Sequence, residues 1–530
     1  MTTELPRLAF YHDGRHPLIY MYEPPMQRAE FEHGVDELIG TPVDALMFCL
    51  GDGRTVLHDT KVGELWGHNV DRWPHLIFRR AHQNARHLID SGDDPMRVIC
   101  ERARAKGLPV YPTLLVQQGR APREEDVRCS DFRFDNAHLE IGAKSGVDES
   151  WKGHNCLDFA HEEVRRERFA LVEEAVRDYP VDGFELQLNY QPWYFHPDEV
   201  ADGRQVMTEW IRQVSETVRG SGEGRRLAVR VPTSLQGCHD IGLDLAGWMG
   251  EGLVDIVIGQ TFHGPELVDC NADYRELVSE AKGRDVHLLA TVQSLVDSDR
   301  LNQAPIEMIR ACANNYWEQG VDGLYLGHWF GCWPYKADFY EKLRELPHPE
   351  IMAPKDKYYY VPTGTHRYPN PELEPGARCP LPAELSEGEP LPIPLQVSDD
   401  LPRWHADGRV HEVILRLRLL NATETDVVRM RLNGRELPAE GLRTINESYR
   451  MGGPRYRTGT CYWFIYRLGP DDWPRKGANE IEVELVKREP QVIPPLVLRD
   501  VELEVHYLMG RHFHRGFVDR DLGPWNTGVT

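Results

Sequence analysis

A chain of 530 residues, 41 % hydrophobic and 27 % charged, is too long for one ordinary domain and ordinary in composition for a globular protein. Its formal net charge of -23 is spread along the chain, which argues against nucleic acid as a partner. No run has the length of a membrane span, Met1 to Arg7 carries neither a basic nor an apolar leader, and the ten scattered cysteines form no CxxC pair, so a cytoplasmic protein with reduced thiols and no membrane partner is expected.

The first 350 or so residues alternate short apolar runs with amphipathic stretches, the pattern of βαβ units around a parallel sheet. Eight strands are predicted: Leu8 to Tyr11, Ala45 to Leu50, Val110 to Val116, Gly183 to Leu188, Leu227 to Val231, Asp255 to Gln260, His287 to Val292 and Gly323 to Leu326. Between them, Glu162 to Tyr179 and Pro305 to Glu318 carry apolar residues at helical spacing. Eight such units make a (β/α)8 barrel over residues 1–348. The phrases Val43-Asp44-Ala45, Val181-Asp182-Gly183 and Val321-Asp322-Gly323 each open a strand. Their aspartates are read as acceptors for backbone donors at a helix-to-strand turn, not as catalysts.

Twelve prolines between Pro349 and Pro402 mark a linker, placed at 349–388. From 389 to 530 the pattern alternates every second residue. Val410 to Leu420, Asp426 to Leu432, Cys461 to Leu468, Glu480 to Val486 and Leu498 to Tyr507 read as strands, and Asn433-Gly434 as a hairpin turn. A jelly-roll-like β-sandwich is expected there, as a brace for the barrel and a candidate surface for homo-oligomerisation.

Active sites of such barrels lie at the C-terminal strand ends. On the fourth strand Phe184, Leu186 and Leu188 form one face, and Glu185, Gln187 and Asn189 the other, pointing inward. Three inward polar residues in a row are costly unless they bind one another or a ligand. The rings that follow, Tyr190 and Trp193, and the end of the eighth strand, His328 and Trp329, suit sugar faces. Polar residues at the other strand ends complete the expected pocket: His12 and Asp13, Asp52, Arg230, Gln260 and His263, and Gln293. The polar loop from Gln117 to Asp158 reads as a lid or substrate wall. Its His138, His154, Cys156 and Asp158 lack zinc-module spacing, and no nucleotide-binding motif is present, so neither metal nor cofactor is expected.

The run Leu157-Asp158-Phe159-Ala160-His161-Glu162-Glu163-Val164-Arg165, followed by Val181-Asp182-Gly183-Phe184-Glu185-Leu186, resembles a glycoside-hydrolase-like barrel family of the family-10-like kind. Gly242-Leu243-Asp244, Trp248 and Glu251-Gly252-Leu253-Val254-Asp255 resemble that family's fifth-to-sixth segment, and Leu432-Asn433-Gly434 its galactose-binding-like sandwich. The resemblance implies a carbohydrate substrate and glycoside hydrolysis. Two departures stand out. Gln187 takes the place of an aspartate, and the seventh strand offers Thr291 and Gln293 but no glutamate. The expected hydrolase has Glu185 as general acid/base, its pKa raised by burial, with Asp13 or Asp52 as partner. Gln187, Asn189, Arg230, Gln260, His263 and Gln293 would orient hydroxyls. Two alternatives stay open: a lyase or epimerase with a His or Tyr base, and a catalytically silent carbohydrate-binding protein.

Overall fold

The computed structural model describes residues 5–51, 55–117, 119–261, 267–296, 301, 303–363, 379–447 and 461–508. Eight parallel strands close into a barrel: β1 (Leu8–His12), β2 (Ala45–Cys49), β3 (Val110–Leu115), β4 (Gly183–Gln187), β5 (Arg226–Val231), β6 (Ile256–Gly259), β7 (His287–Val292) and β8 (Gly323–Leu326). Neighbours in sequence are neighbours in space, and β8 returns to β1.

The strands form because their residues are mostly apolar on the outer face and, away from the Glu185 layer, on the inner face too, as doubly covered parallel strands require. Leu8, Phe10, Phe184, Leu186, Leu227 and Val229 pack outward against the helices. Ala9, Ala45, Met47, Tyr111, Ala228, Ile256, Ile258 and Leu289 fill the interior. A side chain on Gly183 would meet the Arg226 carbonyl oxygen at 2.3 Å and the Tyr111 ring at 2.4 Å, so only glycine lets β4 approach β5 there. The strand-opening aspartates behave as expected. Asp44 accepts the Leu8 N–H (3.0 Å), Asp182 the Val110 N–H (2.9 Å) and Asp322 the Leu288 N–H (2.9 Å). Asp255 does the same for Leu227 (2.7 Å). Each carboxylate thus stitches the bottom of one strand to the bottom of its neighbour.

The C-terminal part is a two-sheet antiparallel sandwich. Its longer strands are β9 (Lys357–Tyr360), β10 (Pro390–Val397), β11 (Val410–Leu420), β12 (Val427–Leu432), β13 (Leu442–Asn446), β14 (Cys461–Arg467), β15 (Gly477–Lys487) and β16 (Val497–Tyr507), and the two-residue strands Ala383–Glu384 and Arg435–Glu436 pair with β16 and β12. One sheet runs β9-β16-β11-β14-β13; the other runs β10-β15-β12. The stretch expected to be only linker supplies β9, which pairs with β16. Three consecutive tyrosines favour a strand, and the Lys357 ammonium is buried against Asp399 at 2.8 Å.

Barrel and sandwich are locked together through a sheet edge. Asn271 donates to the Pro394 carbonyl (2.9 Å) and accepts the Gln396 N–H (2.9 Å), while Asn315 donates to the Gln396 carbonyl (3.0 Å). Two asparagines thus take the place of a neighbouring strand along β10. All ten cysteines are free thiols, and burial pushes Cys100, Cys129, Cys156 and Cys461 up to about 12. No helix among the described residues is long and apolar enough to cross a membrane.

Candidate functional site

The eight barrel strands contain one acidic residue, Glu185, and it points into the barrel from β4. It is fully buried. Thr113 on β3 donates to Oε2 at 2.6 Å, and Arg230 on β5 donates through Nε to Oε1 at 2.8 Å. Arg230 Nη2 lies 2.7 Å from the same oxygen, completing an ion pair. The Tyr325 hydroxyl from β8 reaches both oxygens, at 3.1 and 3.0 Å, and also meets Arg230 Nη2. The guanidinium lies over the rings of both Tyr11 and Tyr325, 4.5 Å from each centroid. Three other strands therefore converge on the carboxylate that β4 carries, and the cluster forms a polar floor across the barrel.

Above this floor the polar side chains change character. Gln187 Oε1, both polar atoms of the Asn189 side chain, Thr291 Oγ1 and Gln293 Oε1 are buried without a hydrogen-bond partner. Arg230 Nη1 turns toward Gln260 at 3.5 Å. Gln293 leans against Gly327, where an added Cβ would sit 2.5 Å from its Oε1, so the glycine leaves room for the amide. The chain leaving β4 is held by Gln191, a non-glycine residue in the left-handed region (φ +48°) whose side chain accepts the Gly119 N–H. Such backbone cost is borne where surroundings impose it. Trp193 follows, its ring edge-on to Trp151 at 5.9 Å, and Tyr190 packs against the inner cluster.

The polar loop after β3 is fastened over this region. Gln117 donates to the carbonyls of Leu157 and Trp193, both at 2.7 Å, and accepts the Leu157 N–H at 3.1 Å. Lys144 pairs with buried Asp158 at 2.7 Å. Gln187, Asn189, Thr291 and Gln293 are each at most 5 % exposed.

Not every expected site residue joins the cluster. Glu185, Arg230 and Gln260 are joined by direct contacts, whereas Gln187, Asn189 and Gln293 are buried without a hydrogen bond to that cluster. His12 does not join it, because alternation places it with Leu8 and Phe10 on the outer face. It stacks on Phe48 (5.1 Å), and Nδ1 accepts the Gly14 N–H (3.0 Å). Trp329 is a core residue: it is 1 % exposed and its indole donates to the Val292 carbonyl at 2.9 Å. The His328 ring packs on Phe330 at 4.1 Å. Asp13 sits at the end of β1 and accepts the N–H groups of Arg15 (3.1 Å) and His16 (2.9 Å). Burial raises its pKa, but the His16 hydrogen bond and the Arg15 charge outweigh this and hold the carboxyl well below the usual range. Asp52 and His263 lie outside the described residues. Sequence reasoning passed over Thr113, Tyr325 and Tyr11. All three stand on inward positions of their strands, the signal that found Glu185.

His12 sets a pH dependence of folding. Burial lowers its pKa from 6.5 to about 4, with Asp13 opposing. The unfolded chain takes up this proton near pH 6.5 and the folded chain only near pH 4. Stability is therefore full above pH 6.5 and falls by about 3 kcal/mol as the pH drops to 4. Urea titrations at steps of half a pH unit are expected to show this slope in the native protein and to lose it in His12→Asn.

No protein-family model matches the chain, and no curated protein matches it in sequence. Among solved structures it is similar to a cycloisomaltooligosaccharide glucanotransferase from Paenibacillus sp. complexed with cycloisomaltoheptaose (10 % identity, 94 % of this chain, 58 % of that one, TM-score 0.35). It is also similar to alpha-L-fucosidase isoenzyme 2 from Paenibacillus thiaminolyticus (13 %, 66 % of this chain, 49 % of that one, 0.42). A third is the alpha-amylase from Geobacillus thermoleovorans complexed with acarbose (11 %, 92 % of this chain, 99 % of that one, 0.40). The chain spans about half the length of the first two. These similarities assign no activity to this chain.

Proposed function

We propose that the barrel mouth binds a saccharide and that the protein acts on glycosidic bonds, with hydrolysis as the reaction. The observation that carries this reading is the row of buried, unpartnered polar atoms on Gln187, Asn189, Thr291 and Gln293. Each such atom costs about 1–3 kcal/mol when left unpaired, so the row burdens the fold unless a ligand completes it. Amides and a hydroxyl carry no net charge, and their mixed donors and acceptors match the closely spaced hydroxyls of a sugar. The rings of Trp193, Trp151 and Tyr190 suit the C–H face of a pyranose.

Glu185 is the central carboxylate of this reading. Its ion pair with Arg230 and its hydroxyl partners suit a charged group facing a developing cation, as nucleophile or as stabiliser of an oxocarbenium-like transition state. Proton donation then falls to a second carboxyl group from the loops, for which Asp52 is the candidate. Asp13, held ionised by His16 and Arg15, is a weak proton acceptor and suits a fixed negative charge better than a base. The enclosure of Glu185 also supports a second reading, a saccharide-binding protein without turnover, since each carboxylate oxygen already has protein donors.

The test is turnover of aryl glycosides and oligosaccharides by wild type and Glu185→Gln, with released sugar identified by mass. Products carrying one added water, and a rate lower by a factor on the order of 10^3 in the variant, are expected. Unsaturated products would replace hydrolysis by elimination. Binding without turnover in both proteins would establish the silent reading, and equal turnover in both would remove Glu185 from the chemistry.

A further inference from the structure

The loops that follow β2 and β3 are zipped together at the rim of the barrel. Thr55 donates through its hydroxyl to the Arg128 carbonyl, Gly67 N–H donates to the Val127 carbonyl (2.9 Å), and the Asn69 amide donates to the Asp126 carbonyl (2.8 Å). Glu64, His68 and Asp131 meet on this seam. Each offers one potential ligand atom, and these atoms all lie within 4.8 Å of one another. The residues come from both sides of the zipper: Glu64 and His68 from the first loop, Asp131 from the second.

Three features set this cluster apart from a chance gathering of surface charge. Both ring nitrogens of His68 are buried and make no hydrogen bond, although Nε2 stands 3.3 Å from Asp131 Oδ2. Nδ1 has no partner of either kind, and a buried ring nitrogen left so is costly. The Asp131 carboxylate is fixed from its other side, where Oδ1 accepts from Arg123 at 2.7 Å and leaves Oδ2 facing His68. The backbone zipper sets the spacing of the two loops without help from the cluster, so the chain segments that carry the three residues are brought together in advance of binding. The site opens to solvent through Asp131, whose side chain is 47 % exposed, so an ion can load from solution.

We infer that Glu64, His68 and Asp131 form a mononuclear site for a first-row divalent cation, Zn2+ foremost, which staples the two loops at the rim. One imidazole nitrogen and two carboxylate oxygens are a borderline donor set that suits Zn2+, with water completing a tetrahedron. The imidazole and the small number of oxygens disfavour Ca2+ and Mg2+. Asp131 opens the short helix Asp131–Asp135 inside the loop that covers the mouth, so the ion would stiffen the cover as well as the rim.

The full chain, freed of metal by chelator and dialysed, is titrated with ZnCl2 and separately with CaCl2 by calorimetry. Bound metal is counted by mass spectrometry, and Tm is recorded with and without Zn2+. One Zn2+ per chain, no Ca2+, and a Tm raised by Zn2+ are expected. His68→Ala is expected to lose affinity at least about tenfold, the loss that even an outer partner of a metal site causes, and to show no Tm shift. Glu64→Gln, which keeps the shape of the side chain, serves the same comparison if the histidine variant does not fold. Absence of stoichiometric Zn2+ binding, equal binding by wild type and the variants, or a preference for Ca2+ would overturn the proposal and leave a His68–Asp131 ion pair.

Discussion

Glu185→Gln is expected to destabilise the barrel by about 3–5 kcal/mol, because it leaves the buried Arg230 guanidinium without its counter-charge. Glu185 is fully buried and Arg230 is 2 % exposed, so water cannot take over the lost interaction. The neutral amide keeps the size of the side chain, which makes the loss one of charge and not of packing. Tyr325 and Thr113 would each face an amide whose two ends cannot both accept. Removing the partner as well, in Glu185→Gln/Arg230→Met, should recover part of the loss, since the long apolar methionine still packs against the Tyr11 and Tyr325 rings. Urea unfolding of the two single variants and the double variant measures the coupling. A cost below about 1 kcal/mol for Glu185→Gln would show that the ion pair does not hold the floor.

Asn189→Leu is expected to do the opposite. Both polar atoms of the Asn189 side chain are buried without partners, so an apolar residue of similar size removes an unmet demand for hydrogen bonds. The variant should be as stable as the native protein or more stable by about 1 kcal/mol. It should at the same time lose at least about tenfold in saccharide affinity, because about 1.4 kcal/mol of hydrogen bonding to the ligand goes with it. A gain in stability paired with a loss of binding is what distinguishes a residue kept for a ligand from one kept for the fold.

The barrel was legible because its information is local. An apolar run bounded by a helix-to-strand turn shows itself within ten residues, and the Val-Asp-Gly phrases mark the bottoms of strands whatever lies opposite. The inward row of Glu185, Gln187 and Asn189 was legible for the same reason: period-two alternation on β4 sorts the faces. The partners of Glu185 were not, since Thr113 lies 72 residues away and Tyr325 lies 140. Only barrel closure brings them together. His12 was misplaced by reading a polar strand end as a pocket wall, although the same alternation puts it outside with Phe10. Trp329 looked like a sugar platform by composition, but the 3-10 turn at Trp329–Cys332 leads its indole back to the Val292 carbonyl. The Glu64–His68–Asp131 cluster has no signature in sequence, because its ligands sit on two loops joined only by the backbone zipper.

The most direct test of the account is a calorimetric titration of native protein and Asn189→Leu with a panel of neutral oligosaccharides, alongside the Tm of each protein without ligand. The native protein is expected to bind at least one saccharide, and the variant to melt no lower than the native protein and to bind at least about tenfold more weakly. A variant that melts well below the native protein, or one that binds the same saccharide equally well, would show that the polar row serves the fold and not a ligand.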